Sequence, residues 1–318
     1  MTLYRTAHSA LAAFGITGAS LRALNTGFNT TYRVTVPDGT RYALRLGTNS
    51  LRDAAGLHAE LSWIQALADS TDITVAPPCR TADGAPFVRV AAPSVNRDIY
   101  ATLTRWLPGR LVGDKPSRAQ LTAMGSLIAH LHRHTAQWSP PPGASFPSLT
   151  HILMNSTDIL TTSTHSCLTP ALRDCMARVI ERIKPHYEGL GQSQPTQVIH
   201  ADLHGYNVLW HEQRIAVIDF DDAGIGWPIQ DLAICAYHLR TNPGAEAYVN
   251  AGYQQIAPLP VCDPAAFEAQ LIARGILMLN DVLGSPIAAD IEFAPVYAER
   301  LLRRMACYLD TGVFQMLM

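Results

Sequence analysis

Residues 198–221 read Val198-Ile199-His200-Ala201-Asp202-Leu203-His204-Gly205-Tyr206-Asn207-Val208-Leu209-Trp210-His211-Glu212-Gln213-Arg214-Ile215-Ala216-Val217-Ile218-Asp219-Phe220-Asp221. Short apolar, β-branched runs flank a polar loop with the spacing His-x-Asp-x4-Asn, and the last run ends on Asp-Phe-Asp. A loop between two short strands lets Asp202, Asn207 and Asp219 project toward one point. Phosphoryl transfer requires such a set: a carboxylate to accept a hydroxyl proton, and an amide oxygen with a second carboxylate to hold Mg²⁺. Magnesium prefers hard oxygen ligands and few protein contacts, so Asn plus Asp suffices. The alternative is a β-hairpin in which Asp and Asn only cap turns.

Upstream of this stretch the period changes several times. Residues 3–14 carry apolar groups at helical spacing. Ala19–Leu24, Thr31–Val36 and Arg41–Leu46 alternate as strands do. Pro37-Asp38-Gly39-Thr40 between the last two is a hairpin signal. Residues 52–68 return to helical spacing, with Leu57, Leu61, Ile64 and Leu67 on one face. Strand-like runs follow near Phe87–Val90 and Ile99–Leu107, and Pro108-Gly109 breaks the pattern.

From there the pattern is mostly helical, over 118–134, 169–190, 229–239, 244–256, 264–283 and 289–309, and 139–150 is a Pro/Ser-rich loop. The fold class expected is α+β: a small N-lobe with an antiparallel sheet, residues 1–107, and a larger, mostly helical C-lobe, residues 108–318.

The 198–221 stretch resembles the aminoglycoside phosphotransferase/choline kinase-like family, distant relatives of protein kinases, and the likeness runs from about residue 20 to about 240. The resemblance implies a two-lobed protein-kinase-like fold with ATP in the cleft. It makes Asp202 the catalytic base, Asn207 and Asp219 the Mg²⁺ ligands, and Asp231, with His200, structural support for the catalytic loop. Thr26-Gly27-Phe28-Asn29-Thr30-Thr31-Tyr32-Arg33-Val34 is similar to the family's phosphate-covering hairpin, with Gly27, Asn29 and Thr30 at the nucleotide. Tyr42-Ala43-Leu44-Arg45-Leu46 resembles the strand that carries the ATP-binding lysine. Here Arg45 keeps the charge with a longer, forked head, and Glu60 looks like its helix partner. Arg105-Trp106-Leu107-Pro108-Gly109 resembles the hinge, where adenine bonds the backbone of Arg105 and Leu107. The family includes homoserine, choline and ethanolamine kinases and a bacterial stress-response branch that phosphorylates protein Ser/Thr.

Composition bounds the other classes. The chain has 318 residues, 48% hydrophobic, with 24 Lys+Arg against 26 Asp+Glu. It can fill a core, and it lacks the basic excess of a nucleic-acid binder. No stretch approaches the roughly 18–20 apolar residues that span a bilayer, and residues 10–16 lack the apolar centre of a secretory signal. Six cysteines without a CxxC pair suggest a reducing, cytoplasmic setting.

His130, His132 and His134 alternate, but on a helix His132 points away from the other two. His200, Asp202 and His204 would serve a metal hydrolase, though Asn207 and Asp219 fit kinase spacing better. No Gly-x-Gly-x-x-Gly after a strand, Walker-type loop or Gly-x-Ser-x-Gly elbow is present.

The acceptor is weakly specified. Residues 241–318 hold eight acids and four arginines, which suits a cationic small molecule such as an amino alcohol or aminoglycoside. Trp227, Tyr237 and Tyr253 are candidates to line a quaternary-amine pocket and equally to be core. The expected activity is ATP- and Mg²⁺-dependent transfer to a small-molecule hydroxyl. The rivals are a protein Ser/Thr kinase and a non-catalytic nucleotide-binding regulator, the latter raised by Arg45.

Overall fold

The computed structural model describes residues 3–50 and 52–317. Met1, Thr2, Leu51 and Met318, within the expected lobe boundaries, lie outside the described residues. The chain divides into two compact units. The first comprises Met1–Pro108, Pro140–Ser145 and Ala216–Asp221; the second comprises Gly109–Ser139, Phe146–Ile215 and Asp222–Met318. Two short segments from far along the chain therefore complete the first unit, which a single cut at residue 107 does not capture.

In the first unit, helix α1 (Tyr4–Ala13) precedes an antiparallel sheet of β1 (Ser20–Thr26), β2 (Thr30–Thr35), β3 (Arg41–Leu46), β4 (Val88–Ala92) and β5 (Arg97–Arg105). The strand order is β1-β2-β3-β5-β4. The β2–β3 turn is held by the Asp38 side chain, which accepts the Thr40 backbone N–H at 2.8 Å, as an Asx turn does. Strand alternation sorts the two faces. Val34, Leu44, Leu46, Ile99, Ala101 and Leu103 share one core with Ala7, Ala10 and Leu11 of α1 and with Phe14 just beyond it. Arg45 and its cross-strand neighbours Thr31 and Thr102 take the opposite parity. Helix α2 (Ala54–Ser70) starts at Asp53, whose carboxylate accepts the Gly56 N–H at 2.7 Å. Its apolar face, with Leu57, Leu61, Ile64 and Leu67, is buried.

The second unit is mainly helical: α3 (Arg118–Thr135), α4 (Pro170–Ser193), α5 (Pro228–Leu239), α6 (Ala245–Gln254), α7 (Pro264–Gly284) and α8 (Ala288–Thr311). A capping box between Ser117 and Gln120 opens α3. One core joins α4, α5, α7 and α8 around Val179, Tyr237, Ile272, Ile276 and Leu301. Helices α3 and α6 approach through glycines. A Cβ on Gly125 would stand 1.8 Å from the Val249 carbonyl oxygen, and one on Gly252 1.9 Å from that of Thr122. Short strands occupy the centre of the sequence. β7 (Gln197–Ile199) pairs with β10 (Gly224–Gly226), and β6 (Arg110–Leu111), β8 (Val208–His211) and β9 (Arg214–Val217) form a three-stranded sheet. Glu212 and Gln213 turn β8 into β9 with φ of 47° and 62°, the doubly positive pair of a tight hairpin. Past Ile215, β9 passes into the first unit, where the Val217 N–H donates to the Thr74 carbonyl at 3.1 Å.

Trp227, Tyr237 and Tyr253 are 2%, 4% and 3% exposed, which favours the core reading of these aromatics over the pocket one. No helix among the described residues is long and apolar enough to cross a membrane.

Candidate active site

The 200–207 loop of the second unit is built around a buried acid. Asp231, on the first turn of α5, accepts the backbone N–H groups of His200 at 3.1 Å and Ala201 at 2.7 Å. It also meets His132 Nε2 at 3.1 Å. Burial alone would raise its pKa, but the hydrogen bond and charge of His132 outweigh burial and hold it below the usual range. His132 in turn bonds the Tyr253 hydroxyl at 3.0 Å. The fulcrum is Ala201 at φ 64°, left-handed backbone that costs a non-glycine residue roughly 1–2 kcal/mol. A chain of three polar residues, Asp231 of α5, His132 of α3 and Tyr253 of α6, backs that strained turn, and Asp202 follows it.

Asp202 is held at both oxygens. Oδ1 accepts Arg274 Nη2 of α7 at 2.6 Å. Oδ2 accepts Asn207 Nδ2 at 2.7 Å and lies 3.3 Å from His204 Nε2. Burial would raise the Asp202 pKa, yet the His204 hydrogen bond and the charges of Arg274, His204 and His200 push it well below the carboxylate range. Asn207 also donates to the Asp202 carbonyl at 2.9 Å. With its amide nitrogen so engaged, Oδ1 of Asn207 is the oxygen left to meet a metal ion.

Asp202, His204 and His238 carry ligand atoms within 4.8 Å of one another. The His238 ring lies 4.5 Å from that of His204, and burial, with the charges of His204 and Arg274, lowers its pKa to about 3. His238, not His200, completes this group. The Arg274 cation on Asp202 opposes a second cation there, so the hydrolase alternative gains nothing.

In the first unit, Arg45 Nη2 meets Glu60 Oε1 at 2.5 Å, and Nη1 lies 3.6 Å from Asp221 Oδ1. Burial would lower the Arg45 pKa; Glu60, Asp221 and Asp219 outweigh it and raise it, so the charge is fixed. Burial lifts the Glu60 pKa, with Arg45 and Arg52 opposing. Sequence reasoning missed Arg52. Its guanidinium donates to the backbone carbonyls of Asp221 at 2.7 Å and Phe220 at 3.2 Å, and its Nε lies 3.4 Å from Glu60. Phe220 packs edge-on against Trp63 at 5.1 Å. Asp219 sits between these fixtures and the end of β9 at φ 62°. No neighbouring motif marks Arg52, and its role rests on backbone carbonyls about 170 residues away.

Four residues expected at the nucleotide hold bonds within the first unit. Asn29 Nδ2 donates to Asp221 Oδ2 at 2.8 Å. The Thr30 hydroxyl is buried, 3.4 Å from that of Thr48. The Arg105 N–H donates to the Pro77 carbonyl at 3.0 Å. The Gly27 N–H is tied to Asn25 Oδ1 at 2.8 Å. The backbone of Leu107 has no hydrogen-bond partner among the described residues.

This chain belongs to the phosphotransferase enzyme family, whose sequence profile matches residues 20–263. An uncharacterised protein of Deinococcus radiodurans is 31% identical over 85% of this chain and 79% of its own length. One of Synechocystis sp. is 28% identical over 72% of this chain, and the match spans 63% of that relative. The fold is similar to that of a microcompartment-associated aminopropanol kinase, with a TM-score of 0.81, 23% identity and coverage of 98% of this chain and 99% of the other. It is also similar to the amicoumacin kinase hAmiN, solved with AMP-PNP, Ca²⁺ and Ami, with a TM-score of 0.70, 22% identity and coverage of 89% and 88%. The architecture is therefore that of the kinase-like phosphotransferases.

Proposed function

We propose that this protein moves the γ-phosphate of ATP to a hydroxyl of a small molecule. The observation that carries the reading is the doubly held Asp202 carboxylate on a loop anchored by Asp231. Asp202 orients the acceptor hydroxyl and takes its proton late, as expected of a carboxylate with a low pKa. Arg274 and Asn207 keep it in one rotamer. Asn207 Oδ1 and the Asp219 carboxylate are the ligands offered to Mg²⁺, which would neutralise phosphate charge when bound. Arg45, kept charged and aimed by Glu60, supplies a permanent cation for phosphate. Leu107 offers backbone to the adenine edge. The chemistry asked of the protein is positioning and electrostatics.

An amino alcohol is the acceptor class best supported. Asp222 and Asp281 act electrostatically on Arg274 beside Asp202, and Asp114 on His238, so acids surround the reacting carboxylate. The aminopropanol kinase shares the fold. A cytoplasmic setting, where ATP and free thiols coexist, agrees with six unpaired cysteines.

The test is ADP release from Mg·ATP across pooled amino alcohols, hydroxy amino acids, sugars and aminoglycosides. Asp202→Asn is expected to lose on the order of a hundredfold or more in turnover with nucleotide affinity kept. Equal release by the variant would refute the assignment of Asp202.

A further inference from the structure

Within the first unit lies a cavity of about 220 Å³ between β3, β4, β5 and the start of α2. Four arginines from separate segments line it, Arg45, Arg52, Arg89 and Arg97, against one acid, Asp98. The hydroxyls of Ser50 and Thr102 add short polar groups to the wall. Of the residues expected at the nucleotide, Arg45 lines it, whereas Gly27, Asn29, Thr30 and Leu107 do not.

The arginines differ in how far the protein satisfies them. Arg45 and Arg52 grip Glu60 and Asp221 at the inner end. Arg97 uses Nη2 on the carbonyls of Gly47 at 3.4 Å and Thr48 at 2.7 Å. Arg89 uses Nε on Asp98 at 3.3 Å. Among the described residues, Nε and Nη1 of Arg97 and both terminal nitrogens of Arg89 have no protein partner. Guanidinium forks match the oxygens of a phosphate two at a time. The volume is several times the roughly 30 Å³ share of one water and below the about 300 Å³ at which drug-sized pockets begin. Size and charge together select a small, multiply charged oxyanion.

We propose that this cavity is a binding site for a phosphate group, free or carried on a small monoester. Arg89 and Arg97 would close on the anion from the exposed side, and Arg45 and Arg52 would face it from within. Because those inner arginines also hold Glu60 and Asp221, occupancy would be felt at the Arg45–Glu60 pair. The site shares Arg45 with the phosphotransfer reading, and Arg89 and Arg97 are the residues that belong to it alone.

Binding of inorganic phosphate and of glycerol 3-phosphate to the full chain is to be measured calorimetrically at constant ionic strength, with no nucleotide present. Saturable binding of either is expected, weakened at least tenfold in Arg89→Gln/Arg97→Gln. Arg5→Gln/Arg80→Gln, which removes the same charge elsewhere on this unit, is expected to change it less than twofold. Tighter binding of the ester would identify the carried form, and equal binding the free anion. Arg97 also braces the 47–48 backbone, so Arg89→Gln alone, at an exposed residue, is the second variant and should weaken binding severalfold. No saturable binding, unchanged binding in the double variant and in Arg89→Gln, or an equal loss in the charge control would each overturn the proposal.

Discussion

His238 shows how a single residue carries pH dependence. Burial favours its neutral ring, so the folded chain takes up that proton only near pH 3, against 6.5 for the unfolded chain. Between those values the unfolded state holds more protons, and stability falls as pH falls. From pH 7 to pH 5 the loss from this ring is about 2 kcal/mol at most, each tenfold difference in proton affinity being worth about 1.4 kcal/mol. Urea unfolding of wild type and His238→Gln at both pH values checks it: wild type should lose about that much more than the variant. Asp202 titrates far below this window and should leave activity flat there. Asp202 and Asn207 can be read together from their spacing because one short loop carries both, and their side chains meet at 2.7 Å. Arg274 and His238 cannot. Arg274 of α7 bonds that carboxylate and His238 of α5 lies within 4.8 Å of it, and nothing in their local sequence separates them from ordinary helix residues. Asn29 and Thr30 mark a limit of such reading, because in sequence a polar turn looks the same whether it faces a ligand or its own chain.

Among elements, α3 and α6 approach closely at two glycines. The Gly252 backbone accepts the Ser126 hydroxyl at 2.9 Å, and no Cβ fits at Gly125 or Gly252. Gly252→Ala must push α6 away from Thr122, and a loss of about 3 kcal/mol or more is expected in chemical denaturation. Gly189→Ala, within α4 and with nothing within 4 Å of the new methyl, is the contrasting case and should gain about 0.5–1 kcal/mol. The helices themselves are legible: six apolar periodic stretches of the second unit form α3 to α8, with ends shifted by a few residues. The pairing of α3 with α6 is not. It depends on two glycines 127 positions apart, and helical periodicity reports a buried face without naming what covers it.

For the whole molecule, the α+β class and the antiparallel sheet follow from strand alternation and one Asp-Gly turn. The discontinuity of the first unit does not. Residues 140–145 and 216–221 belong to it through the Ser145 N–H to the Ala55 carbonyl at 3.2 Å, the Val217–Thr74 bond and the Arg52 grip on Phe220 and Asp221. Patterns read along a chain do not reveal such returns. They also set a schedule for synthesis. The ribosome finishes residue 108 more than a hundred residues before it delivers Asp221, so the first unit must wait, partly assembled, for its last segment. A nascent chain stalled just past residue 108 should be cut by protease within this unit, and one stalled well beyond residue 260 should resist. The order of translation thereby delays the burial of Glu60 and its arginines until the 200–207 loop has emerged.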